Sequence, residues 1–233
     1  MDTGAAFDSI MDKVYSANVY INSSTISEAL DKGAQIVLAG RVSDPGLALG
    51  PCIYEFGWKD RDYDLLAAGT LAGHITECGA QCTGGNYSRW QDVPNLANVG
   101  YPIIEMQANG EFCITKHENS GGLINRETIG EQVLYEMGDP NHYISPDVCV
   151  DFTSFKINDL GNNKVSISNV AGLAPTDSYK GSISYFAGYK ASGQLTVSGP
   201  NAYEKAQLTA EIIWNRLKNT GITFEDTSTE YLG

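Results

Sequence analysis

Residues 34–40, AQIVLAG, form a continuous apolar run of strand length, with Gly33 before it and the turn-forming RVSDPG after it. A run that is apolar on both faces suits a strand covered on both sides, the pattern of a buried parallel strand. Upstream, YSANVYI (15–21) is rich in β-formers and reads as another short strand. Between them Ser23, Ser24 and Thr25 offer caps for a helix through about Lys32, which Gly33 would stop. Strand, helix, strand in so few residues predicts a βαβ unit with a right-handed crossover.

The rest of the chain extends that pattern and then changes it. Asp44 is placed to cap, and Pro45 to open, a helix running to about Phe56. A second helix from about Asp62 contains DLLAAGTLAGHITECGAQ. YPIIEMQ (101–107) and EFCITKH (111–117) flank Ala108–Gly110, an Asn-Gly hairpin signal, and a further helix is expected from about Arg126 to Met137. After Asp139 come short alternating β runs, among them VCVDFTSFKI, KVSISNV, YKGSISYFAGY and SGQLTVSG. An amphipathic helix from about Asn201 to Lys218 follows, with Ala206, Ile213 and Leu217 on its inner side. The expected fold is α/β over 1–138, a partial parallel-sheet, Rossmann-like layer with flanking helices. A β-rich α+β part over 139–233, closed by the C-terminal helix, completes it.

Bulk properties exclude several function classes. At 233 residues, 42% hydrophobic and 18% charged, the chain can bury a real core. Its net charge of −13 argues against any non-specific grip on nucleic acid or anionic membrane. A local cluster of Arg, Lys and backbone N–H groups can still hold a small anion. No apolar run approaches the roughly 20 residues that span a bilayer, and MDTGAAFDSIMDK lacks the regions of a secretory signal. The five cysteines are irregularly spaced and read as reduced thiols, so a cytoplasmic location is expected, with neither nucleic-acid nor membrane partners.

The densest chemistry lies in HITECGAQCTGG, residues 74–85. His74 stands at the edge of the apolar helix face, a candidate general acid or base, with a hydrogen-bonded structural histidine as the plainer alternative. Glu77 points further outward. Cys78 lies one turn from His74, close enough for the imidazole to lower a thiol pKa, although Cys78 and Cys82 also fall where small packing residues belong. Without a second ligand pair no metal is expected, and no cofactor motif is present. Two helical glycines, Gly69 and Gly73, each cost about 1 kcal/mol, which points to close approach by a backbone or a ligand, as at the floor of a cleft.

Gly40, Arg41 and Asp44 follow the expected parallel strand, where ligands of open α/β sheets gather. Arg41 there reads as a carboxylate or phosphate clamp, or as the partner of Asp44 in an ion pair shaping the loop. Thr83, Gly84 and Gly85, with Gly121 and Gly122, make two glycine loops that could offer backbone N–H groups to an anion, aided by Lys116. The chain lacks GxGxxG, GxxxxGK[ST], GxSxG and HExxH.

Several stretches in order, GAQIVLAGRVSDPGLALGPCIYEFGW, LAAGTLAGHITECGAQCTGGNY, DVPNLANVGYPIIEM and CITKHENSGGLINRETIGEQVLYEMGDP, closely resemble the acyclic terpene utilisation family. That family is associated with bacterial citronellol and geraniol breakdown. Its members extend on both sides of the stretch matched here, so the chain is expected to be an internal portion of a longer protein. The resemblance implies binding of, or action on, a branched acyl-CoA or related anionic substrate, with hydratase- or lyase-type chemistry as a conjecture. It carries over His74, Glu77 and Cys78 as catalytic candidates, and Arg41, Asp44, Thr83, Gly84, Gly85, Thr115, Lys116, Gly121 and Gly122 as substrate contacts. The rival expectation is a non-catalytic subunit or scaffold that partners a pathway enzyme such as an acyl-CoA carboxylase, or forms a homo-oligomer.

Overall fold

The computed structural model describes Gly4 and residues 6–232, in two compact units, Met1–Phe186 and Ala187–Gly233. The larger unit holds, in chain order, β1 (Val14–Val19), α1 (Ser24–Asp31), α2 (Gly46–Phe56), α3 (Tyr63–Glu77), β2 (Pro102–Met106), β3 (Phe112–Lys116) and α4 (Arg126–Leu134). These are followed by β4 (Tyr143–Ile144), β5 (Cys149–Asp151), β6 (Lys156–Asp159), β7 (Val165–Ser168), β8 (Ala171–Leu173) and β9 (Gly181–Tyr185). The smaller unit contains α5 (Ala202–Lys218), where Ala206, Ile213 and Leu217 share the half-covered side.

The fold is α/β in content, but no Rossmann-like parallel layer forms. Strands assemble as β1–β9, β2–β3–β7–β6 and β4–β5–β8, and every ladder is antiparallel. Residues 34–40 are irregular, with Ile36 90% and Leu38 98% exposed. The expected parallel pairing survives as one isolated bridge between Ile21 and Val42. An apolar run records a preference for burial, not the presence of a neighbour, and β1 pairs with β9 across the register Val14–Tyr185 to Val19–Gly181. SGQLTVSG likewise forms no strand, since residues 186–198 are irregular and an alternating pattern needs a ladder partner to become one.

Local signals elsewhere hold well. The β2–β3 hairpin closes through Ala108–Gly110, with Gly110 at φ +82°, as the Asn-Gly turn requires. Helix α4 opens on a capping box in which Asn125 and Thr128 satisfy each other's backbone N–H groups.

Helix α3 is the centre of the larger unit. Residues Leu66 through Ile75 are buried without a break, so the helix is enclosed on all sides, not bathed on one. Its glycines explain how. A Cβ on Gly69 would stand 2.6 Å from Leu49 Cδ1, and one on Gly73 would collide with the backbone of Pro45. Close approach at both glycines is therefore made by α2 and the residue before it. From the β8 side Gly172 presses on the Tyr63 carbonyl, while its N–H donates to Asp64 Oδ1 at 2.9 Å. Leu71, Ile75, Phe112, Ile114, Val148 and Val165 complete the surrounding core.

Candidate functional site

His74, on α3, is 7% exposed and points its Nε2 at the carbonyls of Gln132 and Val133, 3.1 and 3.2 Å away. Two carbonyl acceptors require the neutral imidazole to carry its proton on Nε2. Gln132 returns the contact, its Nε2 donating to the His74 carbonyl at 3.2 Å. The imidazole also meets Tyr143 and Phe152 edge to face, at 5.3 and 5.2 Å between ring centres. Burial holds the His74 pKa below that of an ordinary histidine. This is the hydrogen-bonded arrangement of a residue that ties α3 to the end of α4.

Glu77 is exposed and accepts the Cys78 thiol at 2.7 Å. Burial, with the neighbouring Glu77 carboxylate, pushes Cys78 up to about 11, and burial pushes Cys82 up to about 12. Both are thiols, not thiolates, near neutral pH, and thiols are poor nucleophiles. Among the described residues no group of three or more His, Cys, Asp or Glu is arranged to hold a metal.

The two glycine loops do come together. Leu123 N–H donates to the Thr83 carbonyl, and Gly122 packs so tightly on Thr83 that a Cβ there would lie 2.7 Å from its oxygen. Their amides, however, are already occupied. Gly84 and Gly85 donate to Gln81 and Ala80, and Gly121 and Gly122 donate to Asn98 and Pro94. Thr83, fully buried, faces the Ala80 and Gly100 carbonyls with its hydroxyl. Lys116 Nζ donates to the Ser120 carbonyl at 2.7 Å, and Thr115 sits in the hairpin opposite Ile103. This cluster closes on itself.

The Arg41 edge is different. Arg41 is exposed, with its guanidinium 5.1 Å from the centre of the Tyr20 ring, and Lys180 Nζ lies 5.2 Å from the same centre. Backbone bonds fix the group. Tyr20 N–H donates to the Lys180 carbonyl, and Ile21 N–H to the Arg41 carbonyl. Among the described residues neither cation enters an ion pair, so the alternative Arg41–Asp44 pair is not formed. Gly40 is exposed beside Arg41, with open space where a Cβ would stand. No hydrogen bond or ion pair among the described residues joins this edge to the glycine loops.

Two residues outside the sequence expectations link the RVSDPG loop to its surroundings. Tyr143, pushed up to about 12 by burial and then by the charge of Asp44, meets the His74 ring edge to face. Asp147 accepts the Ser23 N–H and hydroxyl at 2.8 and 2.9 Å and also bonds the Ser43 side chain, so a carboxylate of the chain itself occupies the start of α1. Burial raises the Asp147 pKa. Asp147 lies 124 residues from Ser23, and Lys180 is still more remote from Arg41 along the chain. No local pattern could have announced either partnership.

A family model described as acyclic terpene utilisation family protein AtuA matches residues 1–233. No curated protein and no solved structure matches the chain. No helix among the described residues is long and apolar enough to cross a membrane.

Proposed function

The chain belongs to the acyclic terpene utilisation family, and from that premise we propose that it binds a branched acyl-CoA or a related anionic terpenoid acid at the Arg41 edge. The observation that carries this reading is the pair of exposed cations, Arg41 and Lys180, on one tyrosine ring. They are free of ion pairs among the described residues of a chain whose net charge is −13. Arg41 supplies the planar fork that matches a carboxylate or phosphate, and Lys180 a mobile point charge. Gly40 leaves room for a ligand beside them.

Hydratase- or lyase-type chemistry would need a proton-transfer group open to the substrate. His74 holds its one ring proton against two carbonyls, and Cys82 and Thr83 are sealed in the core. Of the carried-over catalytic candidates, Glu77 has an exposed carboxylate, and its proton-transfer role would be exercised together with Cys78. The sealed state of His74 and Thr83 favours the second reading, a non-catalytic subunit that presents its bound acid to a pathway enzyme such as an acyl-CoA carboxylase.

Calorimetric titration of the chain with a branched acyl-CoA and with the free acid tests the reading. Saturable binding that weakens about tenfold in Arg41→Ala, the effect of removing one charge-assisted contact, is the expected result. Absence of binding to both ligands, or equal binding by Arg41→Ala, would sink it. Turnover of the acyl-CoA that disappears in Glu77→Gln separates the enzyme from the subunit.

A further inference from the structure

Tyr20 and Arg41 belong to two segments that meet at an isolated parallel bridge, Ile21 against Val42. Two backbone bonds close it: Ile21 N–H donates to the Arg41 carbonyl and Ser43 N–H to the Ile21 carbonyl, both at 3.1 Å. No ladder extends the bridge upstream of Arg41, where residues 34–40 are irregular. Ile21 and Arg41 are exposed, so water competes for these bonds. Left to those two, the segment that presents the guanidinium would have little to hold it against the segment that presents the ring.

Asp147 supplies the missing hold. Its Oδ1 accepts the Ser23 N–H at 2.8 Å and its Oδ2 the Ser23 hydroxyl at 2.9 Å, and the Ser43 hydroxyl bonds the same carboxylate. Ser23 lies just beyond Ile21 and Ser43 just beyond Arg41, so one side chain grips both segments past the bridge. Both serines are buried, and charge-assisted hydrogen bonds are roughly twice as strong as neutral ones. The joint leaves no slack: a Cβ on Gly46 would lie 2.5 Å from Val42 Cγ1 and 3.0 Å from Ser23 Oγ. Asp147 is itself mounted on the core. The Ser145 hydroxyl donates to the Val148 carbonyl and accepts the Asp147 and Val148 N–H groups, fixing the turn between β4 and β5, and Val148 is fully buried. Among the described residues Asp147 enters no ion pair, so its carboxylate is left to the serines.

We propose that Asp147 is the positioning residue of the anion edge: its carboxylate ties the Arg41 segment to the Tyr20 segment and so sets the guanidinium over the ring in the pose that meets a ligand. The inference rests on the reading of that edge as the anion site, but the tie itself can be tested without a ligand.

The test follows the Arg41 Nε–H proton resonance in the whole, nitrogen-labelled chain. The face of the Tyr20 ring should shift it upfield in the wild type, and Tyr20→Leu gives the unshifted position. Asp147→Leu keeps the shape without the acceptors. It should move the resonance to the unshifted position and weaken isovaleryl-CoA binding about tenfold, as loss of one charge-assisted contact does. Asp147→Asn keeps an acceptor for the Ser23 N–H and should retain most of the shift. Ser43→Ala removes one hydroxyl from the tie and should move the resonance partway, with thermal midpoints recorded for every variant. An unmoved resonance in Asp147→Leu would overturn the proposal, as would one in Ser43→Ala where Asp147→Leu does not fold. Equal losses in Asp147→Leu and Asp147→Asn would overturn it too. A wild type that shows the ring shift yet binds neither isovaleryl-CoA nor isovalerate would sink the anion reading and not the tie.

Discussion

The α3–α4 seam and the Tyr20 edge belong to one compact unit and use suggestive side chains in opposite ways. At the seam, His74, Cys82 and Thr83 are buried, and the imidazole and the Thr83 hydroxyl both face backbone carbonyls. At the edge, Arg41 and Lys180 are exposed and held by one aromatic ring, with no ion partner among the described residues. The lesson is that a polar side chain's availability, not its chemical type, decides whether it can meet a ligand. A hydrogen bond to a buried carbonyl turns a catalytic residue type into a structural one, because breaking it leaves an unpaired acceptor in the core.

The comparison breaks most visibly where the seam is densest. Leu71→Ala opens a hole in a fully buried position and should cost about 2–5 kcal/mol, read as a large fall in thermal midpoint. Gly73→Ala must force its new methyl against the Pro45 backbone. A loss of about 1–3 kcal/mol is expected from such overpacking, and an unchanged midpoint would mean that α2 and α3 are less tightly packed than described. His74→Leu keeps bulk but strands the Val133 carbonyl, while the Gln132 carbonyl keeps the Tyr135 N–H, at about 1–3 kcal/mol. His74→Gln restores a donor near the same point and should recover part of that loss.

The same residue gives the seam a pH signature. The His74 pKa in the folded chain lies below its ordinary 6.5, so the unfolded chain takes up the proton first as the pH falls. Its contribution to stability is therefore complete above about pH 6.5 and drains away between that pH and the lowered folded value. The difference in unfolding free energy between the wild type and His74→Gln, followed from pH 8 to pH 5, should shrink as the solution is acidified. A flat difference would show that the imidazole is not buried as neutral. The smallest effect on stability belongs to the edge: Arg41→Ala should shift it by less than about 0.5 kcal/mol, as exposed substitutions generally do, while weakening the bound anion.

Much of the architecture was legible where the signal is local. Gly33 ends α1 in the left-handed region, α4 begins at Arg126, and the Asn-Gly turn closes the β2–β3 hairpin. Each is decided within a few residues by backbone sterics or a cap. The AQIVLAG run was misread as a sheet strand because its pairing depends on a neighbour that the run itself cannot specify. The glycine loops suggested open amides, yet whether Gly84 or Gly121 N–H is free depends on Gln81 and Asn98, which only the folded chain brings near. Arg41 was legible as a candidate because it follows an apolar run into a turn. Its companions Tyr20 and Lys180 were not, since one packs by ring face and the other comes from just before β9, far along the chain.

The most direct test measures thermal midpoints of the wild type, Arg41→Ala and His74→Leu side by side, with and without a saturating branched acyl-CoA. The account predicts that Arg41→Ala melts like the wild type but loses the ligand-induced rise, whereas His74→Leu melts lower and keeps that rise. A His74→Leu chain that melts like the wild type and no longer responds to the ligand would contradict it.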